Sequence, residues 1–186
     1  MRLRAAVATD APAIAALLRA AFRGEAEAML VARLRAESAV AIELVAEVPD
    51  GAILGHILFS PLRVGGVPAL ALAPLSVAPE AQRQGIGAAL AREGLAQAAL
   101  RPEGWCLVLG EPGYYARFGF SPDAAATVTG VPWSGHPAFQ ALRLRADAAP
   151  LAGEVRYADA FNTSSQQRSS RPRRGSSRSN SARTTR

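Results

Sequence analysis

Residues 75–90 read Leu-Ser-Val-Ala-Pro-Glu-Ala-Gln-Arg-Gln-Gly-Ile-Gly-Ala-Ala-Leu. An apolar, strand-like run stops at Pro79, a polar loop follows, and a helix begins near Gly85 and Gly87. Glycine has no β-carbon, so backbone N–H groups there can approach a ligand closely. The helix start adds unpaired amides and the positive end of the helix dipole. The stretch therefore predicts a site for a phosphate or pyrophosphate group.

The simpler alternative is an ordinary strand–turn–helix connection. Two glycines at the start of a helix weaken that helix unless something is gained from them. The context of strand, loop and helix therefore favours a binding loop over a plain connection.

Composition separates one domain from a basic tail. The chain has 186 residues, enough for a single domain with a sizeable core. It contains no lysine, so all 21 basic residues are Arg and no Lys can act as base or nucleophile. Seven of these Arg lie in 162–186, which leaves 14 Arg against 15 acidic residues and a net charge of −1 in 1–161. The polar composition of 162–186 predicts a disordered Arg/Ser-rich tail.

The few cysteines and histidines exclude several kinds of site. Cys106 is the single cysteine, which excludes an intramolecular disulfide and fits a reducing compartment. It lies in the apolar run 105–109, where we expect a buried structural thiol. His56 and His136 have no metal-ligand spacing, so no metal site is expected. Because no apolar run is long enough to span a membrane and no signal peptide is recognisable, we expect a cytoplasmic protein.

Hydrophobic periodicity predicts an α/β domain with a mixed sheet. Strand, helix and strand follow one another from 69 to 109, so strands 69–77 and 105–109 are expected to be parallel. Pro74 lies inside the first of these strands and indicates a bulge. The predicted strands are 2–7, 40–48, 53–59, 69–77, 105–109, one that begins near Phe120, and 139–145; the predicted helices are 10–22, 25–37 and 86–100.

The segment Gln82-x-x-Gly85-x-Gly87 resembles the acyl-CoA pyrophosphate loop of the GNAT superfamily of N-acetyltransferases. The resemblance implies the GNAT fold, a mixed, mostly antiparallel central sheet with flanking helices and one splayed pair of parallel strands, here 69–77 and 105–109. It implies acetyl-CoA as acyl donor, with backbone N–H groups at the end of strand 69–77 contacting the thioester and pantetheine. The residues expected to bind acetyl-CoA are Ser76, Val77, Gln82, Arg83, Gln84, Gly85, Ile86, Gly87 and Ala88.

Tyr115 is the candidate general acid. The leaving thiolate needs a proton, and a neutral phenol (pKa about 10) can donate a hydrogen bond or a proton to the sulfur as negative charge develops on it; the thiol itself titrates at about 8.5. The arrangement Tyr115-x-x-Phe118-Gly119-Phe120 resembles that of many GNAT enzymes, in which Tyr precedes a Leu/Phe–Gly–Phe step by three residues. The alternative is a ring that only packs. Tyr114 has no counterpart in the motif and is interpreted as a packing residue.

The general base is not identified by the pattern. Some relatives use a glutamate on the strand before the glycine loop, but 69–77 contains no carboxylate. Glu47, Glu111 and His56 are the candidates, beside a water chain or an amine that arrives neutral. The alternative for His56, which lies in strand 53–59, is a structural or substrate-lining histidine.

Further segments resemble a set of predicted bacterial acetyltransferases of largely unassigned substrate, and this resemblance covers 2–161. The expected function is transfer of an acetyl group from acetyl-CoA to a small-molecule or protein amine. One alternative is a non-catalytic acyl-CoA-binding or sensing domain; another is a nucleic-acid-associated protein that binds through the Arg-rich tail. The acceptor and the oligomeric state, a homodimer included, stay open. The segments that carry this resemblance are 21–27, 72–77, 109–115, 117–120 and 155–157.

Overall fold

The computed structural model describes residues 1–162, so the predicted tail lies outside the described residues except for Asn162. The strands are β1 (Arg2–Ala5), β2 (Ile42–Glu47), β3 (Ile53–Val64), β4 (Val67–Val77), β5 (Trp105–Leu109), β6 (Val128–Thr129), β7 (Phe139–Arg143) and β8 (Gly153–Arg156). The α-helices are α1 (Ala11–Phe22), α2 (Ala26–Ala36), α3 (Ile86–Ala99) and the short α4 (Pro112–Tyr115).

One mixed sheet organises the described residues. Six strands lie in the order β1-β2-β3-β4-β5-β7, and β8 pairs with the end of β3 and with β6. The pairs β4–β5 and β6–β8 are parallel, and the remaining pairs are antiparallel. The prediction of a mixed, mostly antiparallel sheet with flanking helices is confirmed, as is the parallel relation of the strands around α3.

Helices cover both faces of the sheet. On one face, α3 buries Ile86, Leu90 and Ala91 against a cluster that includes Ile57 and Phe59 of β3. On the other face, α1 and α2 pack against residues of β2 and β3. This second cluster includes Ile14, Leu18, Leu30, Val31, Leu34, Val45 and Leu58.

Most boundaries agree with the periodicity to within about two residues, and two predictions differ by more. β3 continues to Val64, past the predicted end at residue 59, because a two-residue turn at Gly65 and Gly66 pairs it with β4. Both glycines have positive φ, 54° and 90°, as tight hairpin turns of this kind require. The strand predicted after Phe120 was wrong: only an isolated bridge between Ser121 and Ala141 forms there.

The parallel strands part soon after they meet. β4 and β5 pair only at Leu70–Cys106 and Ala71–Leu107, although β4 continues to Val77. On its other side, β4 carries one more residue than β3 between the pairs Phe59–Leu72 and Ile57–Leu75, which is the bulge that Pro74 indicated. The second half of β4 therefore leaves the β5 side of its backbone without a ladder partner in β5.

Two glycines allow α3 to lie close to the sheet. A β-carbon at Gly55 of β3 would lie 2.8 Å from the side chains of Ile86 and Leu90, closer than real β-carbons come. A β-carbon at Gly94 of α3 would overlap the ring of Phe59. This close packing sets the depth of α3 over the sheet and the position of its N-terminus beside the end of β4.

We expect Gly94→Ala to lower the free energy of unfolding by about 1–3 kcal/mol, because the added methyl overpacks the contact with Phe59. Helix propensity alone would change stability by about 1 kcal/mol in the opposite direction. Urea denaturation measures the difference. The double variant Phe59→Leu/Gly94→Ala should show a favourable coupling energy between the two sites; a Gly94→Ala protein as stable as the parent would contradict the packing argument.

Candidate active site

The end of β4 presents backbone groups to the opening between β4 and β5. The Ala78 N–H donates to the Leu54 carbonyl at 2.9 Å, and Ser76 lies opposite His56 in the same register. Because antiparallel partners alternate between facing and turning away from each other, the Ser76 backbone groups face β3 and the Val77 N–H faces the opposite side. Of the two residues predicted to contact a ligand here, Val77 thus directs its amide toward the opening.

Two glutamine side chains tie the following loop to the chain before it. Gln82 Nε2 donates to the Val77 carbonyl at 3.2 Å, and Gln84 Nε2 donates to the Glu80 carbonyl at 3.3 Å. Their contacts keep the loop folded against the end of β4. In this structure both side chains thus have a local backbone partner.

The loop and the first turn of α3 leave a run of free amides. None of the backbone N–H groups from Arg83 to Ala88 donates a hydrogen bond to another residue within 1–162. Arg83 and Gly85 have positive φ, 63° and 84°, and residues 82–85 are exposed. The Ile86 side chain is buried in the core, so it offers only its amide. Consecutive free amides at a helix start form a concave, electropositive binding surface for an anion.

Gly87 lets the hydroxyl of Tyr114 approach α3. A β-carbon at Gly87 would lie 2.9 Å from the Tyr114 hydroxyl oxygen and 3.4 Å from the Val77 side chain. The Tyr114 ring also packs edge-to-face on Phe118, with centroids 5.6 Å apart. The Tyr114 ring packs, as predicted, but its hydroxyl also reaches the place where β4 ends and α3 begins. Sequence reasoning missed this contact, and the absence of a side chain at Gly87 was the available signal.

Tyr115 lies over the end of β5. Its ring edge contacts Gly110, the residue after β5, and it packs edge-to-face with Phe120 at a centroid distance of 5.7 Å. It joins the apolar cluster on the α3 face of the sheet, which includes Cys106. Burial raises the pKa of the Tyr115 hydroxyl well above its usual value, with the neighbouring Tyr114 and Cys106 adding to the shift. Tyr115 is therefore a neutral O–H donor across the ordinary pH range.

Arginine side chains surround this corner of the molecule. The Arg117 guanidinium lies 4.7 Å from the Tyr114 ring centroid, and that of Arg92 lies 5.9 Å from the Phe118 centroid. Arg83 adds an exposed side chain on the loop itself. Burial raises the pKa of Tyr114, an effect that the charges of Arg117 and Arg92 partly offset. The local electrostatic potential favours an anionic ligand.

The three candidate bases lie in different places and have different hydrogen-bond partners. Glu47 lies on β2, where its carboxylate accepts from Arg4 at 3.0 Å, and that hydrogen bond lowers the pKa of Glu47. Glu111 caps α4 by accepting from the Tyr114 N–H at 2.5 Å. His56 is fully buried on β3, with Nε2 2.7 Å from Glu43 Oε1.

Cys106 is buried, as expected, and burial raises the pKa of its thiol far above the usual value, so a thiolate does not form at neutral pH. Within residues 1–162, no cluster of three or more His, Cys, Asp or Glu side chains could hold a metal ion. The helices of the described part are too short or too polar to cross a membrane.

Comparison with known proteins identifies what this arrangement resembles. Residues 39–122 match the model of the acetyltransferase (GNAT) domain. The chain is 39% identical over 168 residues to the uncharacterized N-acetyltransferase YhbS of Escherichia coli K12, a match that covers 87% of this chain and 99% of that protein. It is 34% identical over 165 residues to the uncharacterized N-acetyltransferase YjhQ of the same strain, covering 83% of this chain and 91% of that one.

Two solved structures with ligands are similar over most of the chain. The crystal structure of E. coli YhbS in complex with CoA has a TM-score of 0.80 and 36% identity, covering 87% of this chain and 91% of that one. A GNAT family acetyltransferase from Brucella melitensis in complex with acetyl-CoA has a TM-score of 0.72 and 38% identity, covering 86% of this chain and 97% of that one.

Proposed function

Because the chain belongs to the GNAT superfamily of N-acetyltransferases, we propose that it moves an acetyl group from acetyl-CoA to an amine by direct attack of the amine on the thioester. The acyl donor is carried over from the CoA and acetyl-CoA complexes of the two similar structures. In this proposal the residues of this chain bind the diphosphate, line a path for the pantetheine arm, and donate a proton to the leaving sulfur.

The run of free amides from Arg83 to Ala88 is the observation that carries the proposal. A diphosphate is an anion with many acceptor oxygens, and backbone N–H groups at a helix start match it in both charge and direction. A β-carbon at Gly85 would meet no atom of residues 1–162 within 4 Å, so the loop backbone borders open space there. The loop is therefore shaped to leave room for a ligand in contact with the backbone.

The open edge of β4 provides the path for the pantetheine arm and thioester. The Val77 N–H faces this opening, and a pantetheine amide can pair with it as a strand would. A free backbone donor at the thioester carbonyl would also stabilise the oxyanion that forms when the amine attacks. The Arg83, Arg92 and Arg117 side chains at the mouth of the opening attract the phosphates of the donor.

Tyr115 is the proposed acid. Its ring lies over the end of β5, beside the opening, and its raised pKa keeps the phenol protonated. When the C–S bond breaks, sulfur takes the electron pair and the phenol supplies the proton. Tyr114 places its hydroxyl nearer the loop, beside Gly87, where it contacts the donor's arm in this proposal.

We expect wild-type protein to bind CoA in isothermal titration calorimetry, and Gly85→Ala to weaken binding at least tenfold. The new methyl would enter the open space that borders the loop backbone, and the positive φ of 84° adds strain. Hydrogen exchange should show the amides from Arg83 to Ala88 becoming protected when CoA is added.

Gly51→Ala is the matched control, because Gly51 has φ 87° and equally open surroundings but lies in the β2–β3 turn. It should lose similar stability and keep its affinity for CoA. A wild-type protein that gives no heat with CoA, or a Gly85→Ala protein that binds it unchanged, would overturn the proposed grip on the diphosphate.

We expect Tyr115→Phe to lower kcat for acetyl transfer about 100-fold while the Kd for CoA stays within a factor of three, because only the proton donor is lost. Thiol release from acetyl-CoA, measured against a panel of small primary amines and peptide N-termini, gives the rate. Tyr157→Phe is the control, since this ring packs against Phe161 in a separate cluster that includes Trp105 and Val155, and the loss of its hydroxyl should not change kcat. If Tyr114→Phe loses more activity than Tyr115→Phe, the acid has been assigned to the wrong tyrosine. A protein that binds CoA but acetylates nothing would favour the non-catalytic alternative.

A further inference from the structure

Three polar side chains form a line across neighbouring strands beneath α1 and α2. Glu43 of β2, His56 of β3 and Ser76 of β4 lie on the same face of the sheet, because His56 is the register partner of both Val45 and Ser76. The relative exposure of His56 is 0% and that of Ser76 is 3%. The line ends at Ser76, the residue before Val77 at the opening.

The contacts fix which nitrogen of His56 carries its proton. Arg35 of α2 donates twice to Glu43, from Nη2 to Oε1 at 2.7 Å and from Nε to Oε2 at 3.0 Å. Burial raises the pKa of Glu43, but the hydrogen bonds from His56 and Arg35 outweigh it, and the net pKa is lowered. Glu43 is therefore an ionised acceptor, so His56 donates from Nε2 across the 2.7 Å contact, and this contact selects the Nε2–H tautomer whenever the ring is neutral. Its Nδ1 is left as a bare lone pair.

Two buried atoms at the Ser76 end of the line have no partner. His56 Nδ1 and Ser76 Oγ make no hydrogen bond with any residue in 1–162. A buried polar atom without a partner is costly, and most such atoms in folded proteins are satisfied by protein or water. Here the imidazole nitrogen and the hydroxyl belong to cross-strand neighbours. Each can still form a hydrogen bond, either to the other or to a shared water.

We propose that Glu43, His56 and Ser76 form a proton relay that removes a proton from the acceptor amine at the opening. The proposal rests on the acetyl-transfer function given above. The Ser76 hydroxyl, directly or with one water, passes the proton from the amine nitrogen to His56 Nδ1. Glu43 holds the ring in the tautomer that can accept the proton and stabilises the imidazolium that forms, which is how a carboxylate supports a histidine base.

The proton balance closes within one turnover. The amine nitrogen forms a bond to the thioester carbon and gives one proton through Ser76 to His56. The C–S bond breaks, its electron pair leaves with sulfur, and sulfur takes the proton of Tyr115. The imidazolium then releases its proton to solvent and the Tyr115 phenolate recovers one, so acetyl-CoA and amine become amide and CoA thiol with the protein unchanged.

Few charged groups face His56. Glu43 approaches from β2 and Arg35 from α2, through Glu43. β4 contributes the neutral Ser76, and the buried residues of α1 are the apolar Ile14, Leu17 and Leu18. Among these neighbours Glu43 is the one carboxylate, and its pKa is lowered by the hydrogen bonds from His56 and Arg35, so it stays ionised to lower pH than an ordinary glutamate.

His56→Gln is the main test, since the glutamine amide keeps a donor for Glu43 but has no group that titrates. With the panel amine that wild type acetylates fastest, kcat should fall about 100-fold, within the usual range for loss of a general base, and the KM for acetyl-CoA should stay within a factor of three. In wild type, log(kcat/KM) should fall with a slope near 2 at acid pH, because both the amine and the imidazole must be neutral. The slope in His56→Gln should be 1.

Ser76→Ala tests the link between the opening and His56. We expect its kcat to fall at least tenfold while CoA affinity is kept. Ser60→Ala is the matched control: Ser60 is also a fully buried serine with an unpartnered hydroxyl, but it lies opposite Ala71, where β4 and β5 still pair. Its rate should equal that of wild type.

The tautomer provides a test that needs no substrate and no substitution in the proposed relay. Long-range 1H–15N correlation NMR of ¹⁵N-histidine-labelled wild type reports two rings, and His136→Asn assigns them. His56 should be protonated at Nε2 and bare at Nδ1. A ring protonated at Nδ1 would overturn the relay.

The outcomes separate the relay from the function on which it rests. If wild type acetylates an amine and His56→Gln keeps both its rate and its slope of 2, the relay is wrong and the acetyltransferase function stands. Equal losses in Ser60→Ala and Ser76→Ala would likewise overturn it, since they would reflect the loss of any buried serine. If wild type binds CoA and acetylates no amine, both proposals fall together.

Discussion

The early parting of β4 from β5 is the constraint on which the site depends. Parallel neighbours normally exchange hydrogen bonds along their whole common length, but here the pairing stops after Ala71 and Leu107. The bulge at Pro74 bends β4 within its pair with β3, and β4 stays paired with β3 beyond the point where its pairing with β5 ends. The result is a strand whose backbone is rigid on one side and free on the other, and a free strand edge is a template for an extended ligand.

Core packing fixes the position of the loop relative to the end of β4. α3 sinks onto β3 because Gly55 and Gly94 add no side chain at the contact with Ile86, Leu90 and Phe59. That depth fixes where the helix begins, and so places its unpaired amides level with the end of β4. A change in the core that shifts α3 would therefore move these amides relative to the Val77 N–H, and in the proposed function both must contact the same ligand.

Local patterns predicted the parts of this molecule that are local. The apolar run 105–109 and the Gly85–Gly87 loop could be recognised because their signals lie within a few residues of one another. The line from Glu43 through His56 to Ser76 could not, since it exists only through the register of three strands that are far apart in sequence. The sequence left His56 as one weak candidate among several for the same reason: nothing near it in the chain reveals Glu43 as its partner or the bare nitrogen as its free end.

The two proposed proton-handling groups lie on opposite faces of the sheet. Tyr115 belongs to the cluster on the α3 face, whereas His56 lies beneath α1 and α2. An acid and a base in direct contact would exchange their own proton, so separate environments are what allow each to keep the protonation state that its task requires. A closed sheet would also keep the substrate from reaching both. In the proposed mechanism the gap between β4 and β5 removes this conflict, because a thioester bound along the free edge of β4 would meet the proton donor from one face of the sheet while the amine releases its proton toward the other face.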